Sequence, residues 1–288
     1  MTDDPAAPVA APVRWVLAAA SVLVFLAGVQ LFVFTRRTDE YFAWTIASPM
    51  TALFLGGAYW SAVGLEVAAA RSPTWAGARI ALPAVFVFTA LTFVVTLVHL
   101  ELFHLAGDLP FNTRLVTWVW LAIYGGVPVV MVLAAIVQWQ GSMAVPPASG
   151  LPTAVRGALV ALAALLLGLG LALLVAPSWA DGAWPWALTP LTARAIGAWL
   201  IGLGVAAAHA RLLDDAPSLR PLGSTAALFV VFQTIALLRE GGELEGGLPA
   251  AVYVGVLVVL AALSAWTLSV TGGLFVRSST RPATPSAE

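Results

Sequence analysis

The sequence predicts an all-α integral membrane protein of eight transmembrane helices, arranged as two tandem four-helix repeats in the same orientation. Three observations carry that prediction. The chain is 61% apolar and only 9% charged, with a mean hydropathy of +0.96, whereas soluble domains are about a quarter charged. Eight stretches are long and apolar enough to cross about 30 Å of hydrocarbon, which takes roughly 20 residues. Finally, the segment from Pro49 to Gly56 reappears from Pro190 to Gly197, each copy following a hydroxyl residue (Ser48, Thr189) and an aromatic lead-in (Trp44, Trp186). An internal repeat decides architecture before local reading does.

Residues 1–13 read as a cytoplasmic tail, rich in Ala and Pro with Asp3 and Asp4 ahead of the first apolar run. A secretory signal needs a basic start and a short apolar core, so Trp15–Phe34 is expected to be a retained first helix. The remaining spans are Pro49–Ala70, Ile80–His99, Leu115–Val137, Gly157–Ala176, Pro190–Ala210, Leu222–Leu238 and Leu248–Phe275. The seventh is short, and the eighth is long enough to tilt or leave the membrane early. Residues 141–154, with Pro146, Pro147, Gly150 and Pro152, have linker composition. They separate a first repeat, 14–140, from a second, 155–276, and residues 277–288 form a second cytoplasmic tail.

Shifting the first half onto the second by 190 minus 49 positions, or 141, lays Arg79 on Arg220 and brings Arg71 and Arg14 within one position of Arg211 and Arg156. Four crossings return a chain to its starting side. The pseudo-two-fold axis is therefore expected along the membrane normal, unlike the inverted repeats of many transporters. Arginine in short loops sets orientation. Arg14, Arg71, Arg79, Arg156, Arg211, Arg220, Arg277 and Arg281 fall on the side of the termini, and Arg36, Arg37, Arg114, Arg194 and Arg239 on the other, so both termini are expected in the cytoplasm. All 13 basic residues are Arg, a bias expected of a GC-rich bacterial genome and hence of a bacterial inner membrane. Trp44, Trp118, Trp179, Trp184 and Trp186 outside, and Trp15, Trp75 and Trp139 inside, fit interfacial anchors.

Composition also narrows the chemistry. A net charge of −1 gives no basic footprint for nucleic acid. With no cysteine, disulfides, thiolate ligands and thiol nucleophiles drop out. Three histidines placed at span ends do not supply facing haem ligands, no nucleophile sits in a recognisable elbow, and no glycine-rich phosphate loop is present, so no cofactor is expected.

Three groups of residues are candidates for function. The repeated helix-start motif comprises Pro49, Thr51, Gly56, Pro190, Thr192 and Gly197. Its Ser-Pro and Thr-Pro pairs fit an N-cap hydroxyl followed by proline at the first helical position. Beyond it, Gly57 and Ser61, matched by Ala198 and Gly202, form small-residue faces through which the second and sixth helices are expected to meet near the axis. Two such helix starts also offer partial positive charge to an anion or carboxylate. The second group is an outer polar site of His99, Glu101, His104, Arg194, Arg239 and Glu240. Its His99-x-Glu101-x-x-His104 spacing lacks the i, i+4 histidine pair of a zinc helix. The offset matches His99 to Glu240, which can pair if the third and seventh helices flank the axis and would form a proton-sensitive pocket. Third is a midplane pair, Thr92 and Gln233, matched by the same offset. No ionisable residue is expected at mid-bilayer, where charge costs about 2.5–3.5 kcal/mol on insertion scales. Glu66 is placed near the inner face within reach of Arg71, and His209 at the inner end of the sixth helix.

The lipid bilayer is the one partner these features require. The leading functional reading is a permease or channel for a small neutral or carboxylated solute. A non-catalytic subunit, scaffold or sensor with a membrane-protein partner or a second copy is the alternative, and a membrane enzyme using the outer His/Glu group the third.

Overall fold

Proline opens most of the long helices, because at the first positions its missing N–H leaves no hydrogen bond unmade. A computed structural model describes residues 8–73, 75–105, 107–139 and 150–272. Its eight long helices are α1 (Ala11–Gly28), α2 (Pro49–Ala70), α3 (Leu82–Val98), α4 (Phe111–Trp139), α5 (Thr153–Val175), α6 (Pro190–Leu213), α7 (Arg220–Glu240) and α8 (Gly247–Val270). A π-helical turn, Val29–Val33, continues α1. Proline occupies the first or second position of α1, α2, α3, α6 and α7. Asp214, at φ 50°, ends α6 in the left-handed region.

Seven of these helices are long and apolar enough to cross a membrane, and the chain is a multi-pass membrane protein. The exception is α3, whose 17 apolar residues rise about 26 Å. It starts at Leu82, two residues later than expected. The seventh helix is longer than the sequence suggested, reaching from Arg220 to Glu240, and the eighth ends at Val270 rather than Phe275. Most of the expected linker, residues 1–7 of the expected N-terminal tail and the whole C-terminal tail lie outside the described residues, as does Phe275, while α1 begins at Ala11, inside the expected N-terminal tail.

Two thirds of the α2 and α6 spans are buried, against a third or less in the other five candidate spans. These two form the centre. Each is packed by the first helix of its own half, α1 on α2 and α5 on α6, and by the third helix of the other half, α7 on α2 and α3 on α6. The peripheral α4 and α8 lean on α3 and α7.

That exchange of third helices corrects two expectations. First, α3 and α7 do not pair with one another; each packs against the central helix of the opposite half. Second, the small-residue faces of α2 and α6 do not meet one another. A β-carbon at Gly57 would sit 2.9 Å from Phe232 Cβ of α7, and one at Gly202 would sit 3.1 Å from Phe88 Cβ of α3. The gaps left by the small residues are filled by the bulky side chains of the exchanged helices. Where α2 and α6 touch, Tyr59 meets Trp199 edge-on at 5.0 Å.

The motif glycines have a different role. A β-carbon at Gly56 would lie 2.8 Å from the Phe32 backbone nitrogen, and one at Gly197 would lie 2.7 Å from the Gly170 carbonyl oxygen. Each seats the first helix of its own half at backbone contact, as small residues do at close crossings in lipid.

Connections at both ends run in parallel. At the motif end, 3-10 turns at Leu100–Leu102 and Gly241–Glu243 follow α3 and α7. The His104 N–H donates to Ala43 O at 3.0 Å, and the Glu245 N–H to Pro185 O at 2.9 Å. At the opposite end Arg14 donates to Ser72 O at 3.1 Å, and Arg156 grips Asp214 through two hydrogen bonds of 2.9 and 2.7 Å. Those bonds hold the Asp214 carboxyl below its ordinary range.

Candidate functional site

Both motif copies cap their helices. Ser48 Oγ accepts from the Thr51 N–H at 3.1 Å, and Thr189 Oγ1 from the Thr192 N–H at 3.3 Å, with Thr192 Oγ1 accepting from the Thr189 N–H in return. The start of α2 is already occupied by an anion from the chain itself. The Glu243 carboxylate accepts from Ser48 Oγ at 2.6 Å and from the Met50 N–H at 3.3 Å. An acidic group is favoured there by the helix dipole and the unpaired N–H groups. Thr51 is turned elsewhere and accepts from Trp186 Nε1 at 2.9 Å.

The six outer polar residues are distributed among separate contacts. Arg194 donates to His99 Nε2 at 2.7 Å and to Leu174 O at 3.1 Å. A guanidinium can only donate, so His99 is neutral here with its proton on Nδ1. Burial and the adjacent Arg194 charge lower its pKa, with Glu101 acting in the opposite direction. Glu240 does not meet His99. As the last residue of α7, which packs on α2, it pairs with Arg36 at 2.6 Å, whereas His99 faces Arg194 of α6. Arg239 donates to Phe32 O at 2.8 Å and Thr35 Oγ1 at 3.3 Å, closing the end of α1. The His104 ring donates through Nδ1 to Phe42 O and accepts through Nε2 from Thr45, both at 3.0 Å. Glu101 is exposed. Among the described residues no group of three or more His, Asp or Glu is placed to hold a metal ion.

Thr92 and Gln233 are likewise apart. Gln233 is fully buried, donates to Phe54 O at 3.1 Å and accepts from Tyr253 OH at 3.0 Å. It ties α7 to α2 and α8. Thr92 Oγ1 is buried on α3 without a hydrogen-bond partner. The exchange of third helices turns the two residues toward different neighbours.

A site the sequence reading placed wrongly lies beside the central helices. Glu66 is 3% exposed and its Oε2 has no hydrogen-bond partner. None of the four ion pairs among the described residues includes it. Arg71 lies five residues on, a rotation of about 140° at 100° per residue, so it stands on the far side of the helix and is exposed.

Glu66 shares a stripe with Tyr59 and Ala62, at i, i+3 and i+7, and all three line a cavity of about 280 Å3. Its walls come from both halves: α1 to α4 supply residues such as Tyr59, Phe88 and Tyr124, while α6 supplies Trp199 and Gly202 and α7 supplies Thr225. Tyr59 and Tyr124 share a 2.6 Å hydrogen bond between their hydroxyls. Phe88 stacks at 4.1 Å on Trp199. Thr225, 8% exposed, also has an unpartnered oxygen. Two buried polar side chains from different halves, Glu66 and Thr225, therefore line this space with unpartnered oxygens, although buried polar groups in proteins are normally paired; Thr225 also lines a second, neighbouring cavity.

A second cavity, of about 140 Å3, lies among α5 to α8 and is lined almost entirely by apolar side chains. At the 141-residue offset Glu66 corresponds to Ala207 and Tyr59 to Leu200, and both of those line it. The difference between these offset-matched positions is a sequence signal that singles out Glu66. No family model matches the chain, and no curated protein or solved structure is similar to it.

Proposed function

We propose that the protein is a permease-type carrier of a small solute, built by duplication of a four-helix unit, with the Glu66 cavity as its solute site. The parallel pairings of α1 with α2 and α5 with α6, of α2 with α7 and α6 with α3, and the matched connections at both ends support the duplication. On that reading α3 is the eighth span, since 17 residues is at the short end of the range of about 17–25 that crosses hydrocarbon. The arginine distribution supports a bacterial inner membrane with both termini in the cytoplasm.

The observation that carries the functional reading is an unpaired, buried carboxylate in a cavity among membrane helices. Ionisable residues in such positions mark substrate or ion paths. A carboxylated solute, one of the classes the composition left open, would meet Glu66 with no cation to hold it, so the cavity favours other chemistry. The chain contains no cysteine, so single replacements report cleanly. Ser61→Cys and Thr89→Cys, both lining the Glu66 cavity, are expected to react with a membrane-impermeant thiol reagent from at least one face of sealed vesicles. Leu257→Cys, in the apolar cavity, is expected to stay unlabelled. If neither cavity position labels from either face, the permease reading fails and a non-transporting membrane subunit or sensor replaces it.

A further inference from the structure

The polar cavity has a chemistry specific enough to name a ligand class. Its titratable lining groups, over every helix that contributes, are Glu66 and Tyr59 on α2 and Tyr124 on α4. No Arg or His lines it from α1, α3, α6 or α7. A carboxyl group in apolar surroundings stays neutral unless its charge is paired, and the partner that would hold it ionised is a cation. A divalent metal ion is a poor fit, because it needs six or more oxygen ligands and only one carboxylate is present. Apart from the uncharged polar side chains of Gln30, Ser61, Thr89 and Thr225, the remaining walls are aromatic and aliphatic, and Tyr59, Trp199, Trp120 and Phe88 stand around the same space. Aromatic faces attract organic cations, with a gain of about 2 kcal/mol or more when the contact is desolvated. The unpartnered Thr225 oxygen adds an acceptor for an ammonium N–H.

The cavity also has a direction of entry. Leu26 of α1 and Leu115 and Val119 of α4 line it, yet are 50%, 47% and 43% exposed. On spans that face hydrocarbon, this exposure puts the lipid-facing side of the cavity at α1 and α4, where an alkyl chain would enter.

We infer that the Glu66 cavity binds an amphiphilic amine as its ammonium ion, with the Glu66 carboxylate as counter-ion, the aromatic walls around the headgroup and the chain directed between α1 and α4. This assignment names the substrate class of the cavity read above as a solute site, and rests on that reading. The test uses the full-length protein in nanodiscs of zwitterionic lipid and three bromodecyl probes of equal chain length: a primary ammonium, an alcohol and a carboxylate. Bromine quenches tryptophan fluorescence on contact, and Trp120 and Trp199 line the cavity. The expected result is saturable quenching by the ammonium probe, displaced by unbrominated decylammonium, at least tenfold stronger than by the other two. Glu66→Gln is expected to remove that preference. Equal binding of the three probes by the wild-type protein would overturn the proposal without recourse to any variant, as would a Glu66→Gln protein that keeps the ammonium preference. The two readings fail separately. Thiol labelling at Ser61→Cys without ammonium preference leaves a solute path for another substrate and ends the amine assignment. Ammonium preference without thiol labelling upholds the amine site and ends the permease reading.

Discussion

Replacing Gly197 with valine is expected to destabilise the protein by more than about 3 kcal/mol and to remove most of the folded, monodisperse material recovered in detergent. The reason is backbone contact. The β-carbon alone would sit 2.7 Å from Gly170 O and 3.1 Å from Leu174 N, and the reciprocal β-carbon at Gly170 would sit 2.9 Å from Gly197 O. Neither neighbour is the free end of a side chain that could rotate aside, so α5 would have to move off α6. Overpacking in a closely packed interior costs about 1–3 kcal/mol even when side chains can adjust, and this site allows less adjustment. Gly204 adds to the same crossing, where a β-carbon would lie 3.1 Å from Leu167 N. Gly168 is the control: nothing lies within 4 Å of its β-carbon position, and alanine there is expected to be neutral or to stabilise by about 0.5–1 kcal/mol through helix propensity. Thermal midpoints of the three proteins in one detergent check the order, which is Gly168→Ala at or above wild type and Gly197→Val far below.

Glu66→Leu is expected to act in the opposite direction and raise stability by about 1–3 kcal/mol, the cost of an unsatisfied buried polar group. A structural carboxylate would be held by partners whose loss costs stability, but Glu66 Oε2 has none and no cation lines its cavity. Leucine fills some of the empty volume and removes the desolvated acid. Sites that retain a destabilising group for function behave in this way, with stability rising as activity falls. The check is the thermal midpoint of Glu66→Leu against wild type, without added amine. A marked drop would show that the carboxylate holds the helices together and has a structural role.

What could be read from the chain divides along a physical line. Local features were legible: Ser48 and Thr189 cap their helices as the hydroxyl-proline pairs implied, since a cap depends on residues within one turn. The apolar spans were legible because their length answers to bilayer thickness. Partner choice was not. His99 meets Arg194 and Glu240 meets Arg36 because α3 and α7 change halves, and no periodicity within a helix records which neighbour it packs against. Glu243 at the start of α2 is a contact across 195 residues and equally invisible. Glu66 was partly legible: the rotation between positions 66 and 71 separates its side chain from Arg71, but no pattern within the helix records which neighbours enclose it.

The exchange of third helices is what brings Trp199, Gly202 and Thr225 to the Glu66 cavity, and cross-linking tests it most directly. Two cysteine pairs report on it: Gly57→Cys with Phe232→Cys, joining α2 to α7, and Gly202→Cys with Phe88→Cys, joining α6 to α3. The β-carbon separations of 2.9 and 3.1 Å need only a small relaxation to reach the roughly 3.5–4.5 Å of a disulfide. With a protease site placed in residues 141–149, oxidised membranes are cut and run without reductant. The account predicts that each pair, separately, keeps the two halves joined after cutting and releases them on reduction. Halves that separate with both pairs oxidised would contradict the exchange, and with it a cavity built from both copies.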